Sequence, residues 1–274
     1  MAMLPLGACG DSGALPDRSN TSRVACVAES FEGSDFIHCT ARPGRNSIRT
    51  VLNGPSGQPL RDLGRLAETM GTRAQNVVFA MNGGIYDEVG QPIGYYVEDG
   101  KRLHKLNRAE GGGNFGLVPN GVFSVEADGW HVRSADSFAR EVKRRPQYAT
   151  QSEPMLVISG KLHPRIAENG ESLHIRNGVG VDAKGRAHFV ISESAVSFGR
   201  IARYFRDRLG CPNALYLDGS VSSLWDPASE RIDRRVPLGP LLVVEKADAA
   251  ASHPRERARM AAPTSLLSPT PSAS

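Results

Sequence analysis

No apolar run in this 274-residue chain is long enough to cross a bilayer as a helix. Aromatic residues are scarce, at 6%, and they do not interleave with the basic residues into a stripe that would track a nucleic acid. The net charge of +4 and pI near 9.0 come from scattered clusters at 101–108, 140–145, 200–208 and 231–235, so the sequence speaks for no nucleic-acid partner. An anionic small substrate is compatible with that charge. Also missing are His-Glu-x-x-His, Gly-x-Ser-x-Gly, a Walker loop and a Cys-x-x-Cys pair, which weighs against zinc and serine hydrolases. The histidines fall singly, without ligand spacing. No cofactor is required by these residues, and a divalent ion is left open.

What is present is a composition that buries a core: 40% hydrophobic and 23% charged residues over one large domain or two small ones. The spacing predicts three segments. Residues 1–23 read as a truncated lipoprotein signal remnant and tether, 24–246 as the folded body, and 247–274 as a disordered Ala/Pro/Ser-rich tail. Leu6-Gly7-Ala8-Cys9 has the form of a lipoprotein processing box and makes Cys9 the lipidation candidate, although no complete signal peptide precedes it. That pattern implies a start site placed too late or a trimmed chain, and an extracytoplasmic location, periplasmic or membrane-anchored. With Cys9 lipidated, three cysteines are left, which allows one disulfide and one free thiol. Cys26 and Cys39 flank a turn at Glu32-Gly33-Ser34 and are the disulfide candidates; Cys211 reads as a buried small hydrophobe.

Strand patterns fall at 36–41, 48–52, 77–81, 93–97, 115–118, 122–125, 155–158, 178–182, 188–192, 214–218 and 241–245. Helical spacing is confined to Leu60, Leu63, Leu66 and Met70, to Phe198, Ile201, Ala202, Phe205 and Leu209, and to a short stretch at 137–143. Strands outnumber helices without alternating regularly, so the expected class is α+β: one mixed domain of short, largely antiparallel strands with a few helices.

Two strand ends carry polar loops. Val77 to Met81 delivers Asn82, Gly83 and Gly84; Ala214 to Leu217 delivers Asp218, Gly219 and Ser220. Either loop also reads as a plain turn, since Asp-Gly favours hairpins and Asn and Gly tolerate positive φ.

Taken together with Asn114-Phe115-Gly116, Thr150-Gln151-Ser152 and Arg176-Asn177-Gly178-Val179-Gly180, these loops resemble the phosphodiester glycosidase family over roughly residues 26–245. That family joins bacterial proteins of unassigned role to the mammalian uncovering enzyme, an N-acetylglucosamine-1-phosphodiester alpha-N-acetylglucosaminidase. The chain departs from its pattern at Glu153, where a small residue is usual, and at Gly83, where alanine is usual. The resemblance implies a hydrolase acting on a phosphate-linked carbohydrate of an envelope or extracellular glycan.

On that resemblance Asp218 is the catalytic carboxylate, Arg176 the phosphate clamp, and Asn82 a third catalytic-site residue. Asn114, Gln151 and Asn177 hold hydroxyls or phosphate oxygens, with Gly83, Gly84, Gly219 and Ser220 close to substrate. Asp87 and Glu153 are reserve acid/base groups. A structural ion pair of Arg176 with Asp182 or Asp218 is the competing reading of the arginine. Two other functions stay open: a lipoprotein that binds glycan without cleaving it, and a phosphodiesterase that cuts the P–O bond.

Overall fold

The computed structural model describes residues 25–108 and 117–247. Cys9, Asn114, the tether and nearly all of the tail lie outside the described residues. In chain order the strands are β1 (Cys26–Phe31), β2 (Ser34–Ala41), β3 (Asn46–Val51), β4 (Val77–Asn82), β5 (Tyr96–Glu98), β6 (Lys101–His104), β7 (Gly121–Glu126) and β8 (Gly129–Ser134). There follow β9 (Tyr148–Ser152), β10 (Met155–Ile158), β11 (Lys161–Leu162), β12 (Asn177–Val181), β13 (Ala187–Ser192), β14 (Asn213–Tyr216), β15 (Leu224–Asp226), β16 (Arg231–Ile232) and β17 (Leu241–Lys246). Three helices interrupt them: α1 (Leu63–Met70), α2 (Ala135–Glu141) and α3 (Phe198–Arg203).

The strands form three sheets: a seven-stranded one ordered β1-β2-β13-β12-β14-β10-β11, and two five-stranded ones ordered β16-β15-β4-β17-β3 and β6-β5-β9-β7-β8. Neighbours in every sheet are antiparallel, and the fold is α+β. Side chains from all three sheets meet at one aromatic cluster. Phe189 of β13 packs edge-on to Phe79 of β4 at 5.2 Å and to Phe123 of β7 at 5.8 Å, each ring fully buried.

Local sequence explains the ends of the helices. The Asp62 carboxylate accepts the Arg65 amide at 2.9 Å to start α1, and Gly71 ends it at φ +53°. Ser197 caps α3 in the same way through the Arg200 amide. The spacing at 198–209 predicts one helix, but past Arg203 the chain widens into a π-helical turn over 204–208. Gly178 and Gly180 let this segment lie directly on the seven-stranded sheet, because a Cβ at Gly180 would meet Cys211 Sγ and Phe205 at 2.8 Å.

Cys26 and Cys39 face each other in the β1–β2 register and are joined as a disulfide. Cys211 is a buried free thiol whose pKa burial pushes up to about 12, so it is an inert packing group. None of the helices among the described residues is long and apolar enough to cross a membrane.

Several strand expectations shift. Of the segment expected at 93–97 only Tyr96 and Val97 are in a strand, which runs on to Glu98, and Leu117 and Val118, expected at the end of a strand, are in none. The strand expected to run to Asp218 ends at Tyr216.

Candidate active site

A cleft of about 1040 Å³ opens where loops from all three sheets converge. One wall is the loop that follows β4, closed on itself by the Ile93 amide donating to Ile85 O, and it contributes Tyr86 and Asp87. A second wall is Glu153 and Pro154, just past β9. The floor comes from the extended run into β12, where Ser172, His174 and Arg176 alternate onto one face, and from Tyr216 and Asp218 at the end of β14.

Arg176 is 1% exposed overall yet reaches this floor. Its Nε donates to Val196 O at 2.8 Å, Nη1 to Tyr216 Oη at 3.2 Å, and Nη2 to Ser172 O and Oγ at 2.9 and 3.2 Å. Its guanidinium carbon lies 3.5 Å from the Phe198 ring centroid and 5.4 Å from that of Tyr216. Among the described residues those four bonds leave one Nη1 N–H of the five donors uncommitted. The alternative of an ion pair is not what holds Arg176, since Asp182 bonds Arg186 and His188, and Asp218 bonds Ser220. Burial lowers the Arg176 pKa, and the Tyr216 phenol opposes that.

Asp218 is not at a hairpin. It caps a 3-10 turn at Gly219–Val221 that carries the chain from the seven-stranded sheet to β15 in another, and it accepts the Ser220 amide at 3.3 Å. Burial raises its pKa above the ordinary aspartate value, with the Ser220 hydrogen bonds pulling the other way. Tyr216 sits beside both charged groups: burial raises its phenol pKa, Arg176 lowers it and Asp218 raises it. Gly219 is required here, because a Cβ would fall 1.8 Å from the Tyr216 hydroxyl.

The two asparagines expected at substrate lie beneath the cleft. Asn82 Nδ2 donates to the Asp218 carbonyl at 2.8 Å, while its Oδ1 accepts from Asn177 Nδ2 at 2.8 Å and from the Ser223 amide at 2.9 Å. Both are at most 1% exposed, so they hold the Asp218 loop and do not line the cleft. Gln151, also expected to hold substrate, is spent inside the protein: Oε1 accepts the Tyr95 and Asn107 amides, and Nε2 donates to Asn107 O and Asn120 Oδ1.

Gly83 and Gly84 make backbone joints. The Gly83 carbonyl accepts the Asp218 amide, and a Cβ on Gly84 would lie 2.0 Å from Gln151 O. Asp87 lines the cleft with one carboxylate oxygen engaged by the Val89 and Gln91 amides, and Ser220 and Glu153 line it as well.

Ser172, His174, Tyr216 and Phe198 were not singled out by motif reasoning. The period-2 spacing of Ser172, His174 and Arg176, and of Tyr216 and Asp218, is the signal that puts them on the same faces. Among the described residues, the cluster with metal-ligand spacing is Glu126, Asp128 and His131 on the β7–β8 hairpin, outside the cleft, with Glu126 already paired to Arg133.

The fold and cleft define an α+β protein in which a buried arginine and a partly buried aspartate share one opening. Residues 75–244 match the family model for phosphodiester glycosidase, and the chain belongs to that family. It is 36% identical over 207 residues to the uncharacterized protein YigE of Escherichia coli strain K12, covering 76% of this chain and 80% of that one. Its fold is similar to the catalytic domain of zebrafish N-acetylglucosamine-1-phosphodiester alpha-N-acetylglucosaminidase, solved auto-inhibited by its pro-peptide. That match has a TM-score of 0.54 and 16% identity, over 81% of this chain and 82% of the zebrafish chain.

Proposed function

We propose that the protein is an extracytoplasmic hydrolase that cleaves the glycosidic bond of a sugar-1-phosphodiester in an envelope or extracellular glycan. The observation that carries this reading is Arg176, a buried cation held by neutral partners and one phenol, facing the same cleft as Asp218. A cation held without a carboxylate leaves its charge for an anionic ligand.

In this mechanism the bond between the anomeric carbon and the phosphate oxygen breaks, and the departing phosphate monoester carries the electron pair. The free Nη1 N–H of Arg176 stabilises that phosphate. Asp218 meets the electron-poor anomeric carbon, either by attacking it or by taking a proton from the water that does. The phosphate is a good leaving group, so a strong general acid is not needed; Glu153 and Asp87 remain as proton carriers. Asn82 and Asn177 act through Asp218, by fixing its loop.

The Cys26–Cys39 disulfide supports an oxidising compartment. Anchoring to a membrane through Cys9 rests on the Leu6-Gly7-Ala8-Cys9 pattern alone.

The test is turnover of an aryl or alkyl sugar-1-phosphate diester by wild-type and Asp218→Asn protein. The expected loss is at least about 10²-fold, the lower range for removing a positioned acid/base group. Undiminished turnover by a folded variant removes Asp218 from the reaction. Phosphate recovered on the sugar would assign P–O cleavage instead, and glycan binding with no product would assign a binding protein.

A further inference from the structure

Four arginines, Arg61, Arg65, Arg234 and Arg235, line a groove of about 510 Å³. Several arginines elsewhere are matched with carboxylates: Arg49 with Glu245, Arg133 with Glu126, Arg203 with Glu32, and Arg231 with Glu193 and Asp233. The four in the groove have no such partner among the described residues. The one carboxylate in the lining, Asp62, is committed to the start of α1. Four cations against one carboxylate leave the lining with an excess of positive charge, whose mutual repulsion a bound anion relieves.

Two of these side chains lie against neighbouring segments. The Arg234 guanidinium lies against Gly64, where a Cβ would come within 2.4 Å of it. Arg61 stands at φ +64°, a left-handed conformation unfavourable to a long side chain, and its Nη1 is buried with no hydrogen-bond partner. Its guanidinium lies 5.3 Å from the centroid of the Tyr86 ring.

Tyr86 is also the link to the cleft. Its ring lines the cleft, while its hydroxyl donates to the carbonyl of Pro237, a residue of the arginine groove, at 2.6 Å. The groove and the cleft therefore share one wall.

We infer that this groove is a second anion subsite, which takes the phosphate groups of the polymer continuing beyond the sugar seated in the cleft. The inference rests on the proposed function in one respect, that the ligand is a phosphodiester-linked glycan. It makes the preferred substrate a chain with several phosphates, gripped at Arg176 and again at the groove.

The experiment uses the full chain and a fluorescent phosphodiester-linked mannose oligomer of six repeats, with two controls: the same oligomer without phosphate, and single-stranded DNA of equal phosphate count. Binding is read by anisotropy and turnover on a one-phosphate aryl sugar diester. For Arg65→Gln/Arg234→Gln/Arg235→Gln, the expected result is oligomer affinity weakened about tenfold or more at low salt, with kcat/KM on the small diester within about twofold of wild type. The corresponding lysine variant should keep most of the binding.

Oligomer affinity unchanged by the glutamine variant overturns the inference, and turnover of the small diester in that case leaves the proposed function standing. DNA binding as tight as the oligomer also overturns it. Loss of oligomer affinity in a protein that turns over neither substrate keeps the groove and removes the hydrolase. If the triple variant does not fold, Arg235→Glu alone, at an exposed position, serves as the second measurement.

Discussion

The Arg176 guanidinium carbon lies over the Phe198 ring, 3.5 Å from its centroid, and a planar, delocalised cation suits that face better than an ammonium does. Arg176→Lys should therefore lose both the stacking and the paired bonds to Ser172 while keeping the charge. Arg176→Ala should raise KM for phosphate-bearing substrates by about tenfold or more and leave neutral aryl glycosides nearly unchanged. Steady-state kinetics on the two substrate types checks this, and equal effects on both would end the role given to Arg176.

Asn82 and Asn177 meet by one hydrogen bond of 2.8 Å beneath the Asp218 loop. Asn82→Ala strands the Asn177 amide and the Ser223 N–H, at about 1–3 kcal/mol for each group left unsatisfied, and leaves the Asp218 carbonyl with the Val221 N–H alone. The expected outcome is a lower Tm together with a fall in kcat. A double-mutant cycle with Asn177→Ala should return a coupling of about 0.5–3 kcal/mol.

Acid sensitivity should come from the outer face of the seven-stranded sheet. There His38 Nε2 and His188 Nδ1 are 2.8 Å apart, His188 Nε2 faces Asp182, and His38 Nδ1 faces Glu29. Burial depresses the His188 pKa from 6.5 to about 4, against the pull of Asp182. A histidine depressed in the folded state stabilises the protein above its unfolded pKa, and the contribution is lost as pH falls through the folded value. Between pH 6.5 and 4 the fold should lose about 3 kcal/mol from this group. Asp182, lowered to about 2, keeps its contribution over that window. Denaturation across pH for wild type and His188→Gln measures it: the variant should have the shallower slope.

The Cys26–Cys39 bond closes a short loop with a sequence separation of 13 residues. Its removal by Cys26→Ser/Cys39→Ser should cost about 2–4 kcal/mol, or about 5–15 °C in Tm. Thermal melts with and without reductant test this. The double variant should match the reduced wild type, since both lack the same cross-link and the buried Cys211 is unchanged in each.

Strands with apolar runs, such as β4, β13 and β17, were legible because burial on both faces selects Val, Phe, Ile and Leu. β6 reads Lys-Arg-Leu-His, exposed throughout, and β8 and β9 mix polar with aromatic residues, so no hydrophobic pattern marked them. Asp218 and Arg176 were legible as polar residues beside buried strands. The direction of Gln151 was not: nothing local separates an amide aimed at a ligand from one aimed at the Tyr95 and Asn107 backbone. The same limit applied to Asn82, whose partners Asn177 and Ser223 are 95 and 141 residues away.

What anchors residue 218 is its main chain: Asn82 takes its carbonyl and Gly83 takes its amide. The carboxylate adds the Ser220 amide alone, a bond that an asparagine oxygen also accepts, so Asp218→Asn need not reshape the opening. A chain altered only at that side chain would make a substrate trap, able to hold an uncleaved phosphodiester long enough to be crystallised and to disclose which sugar occupies it.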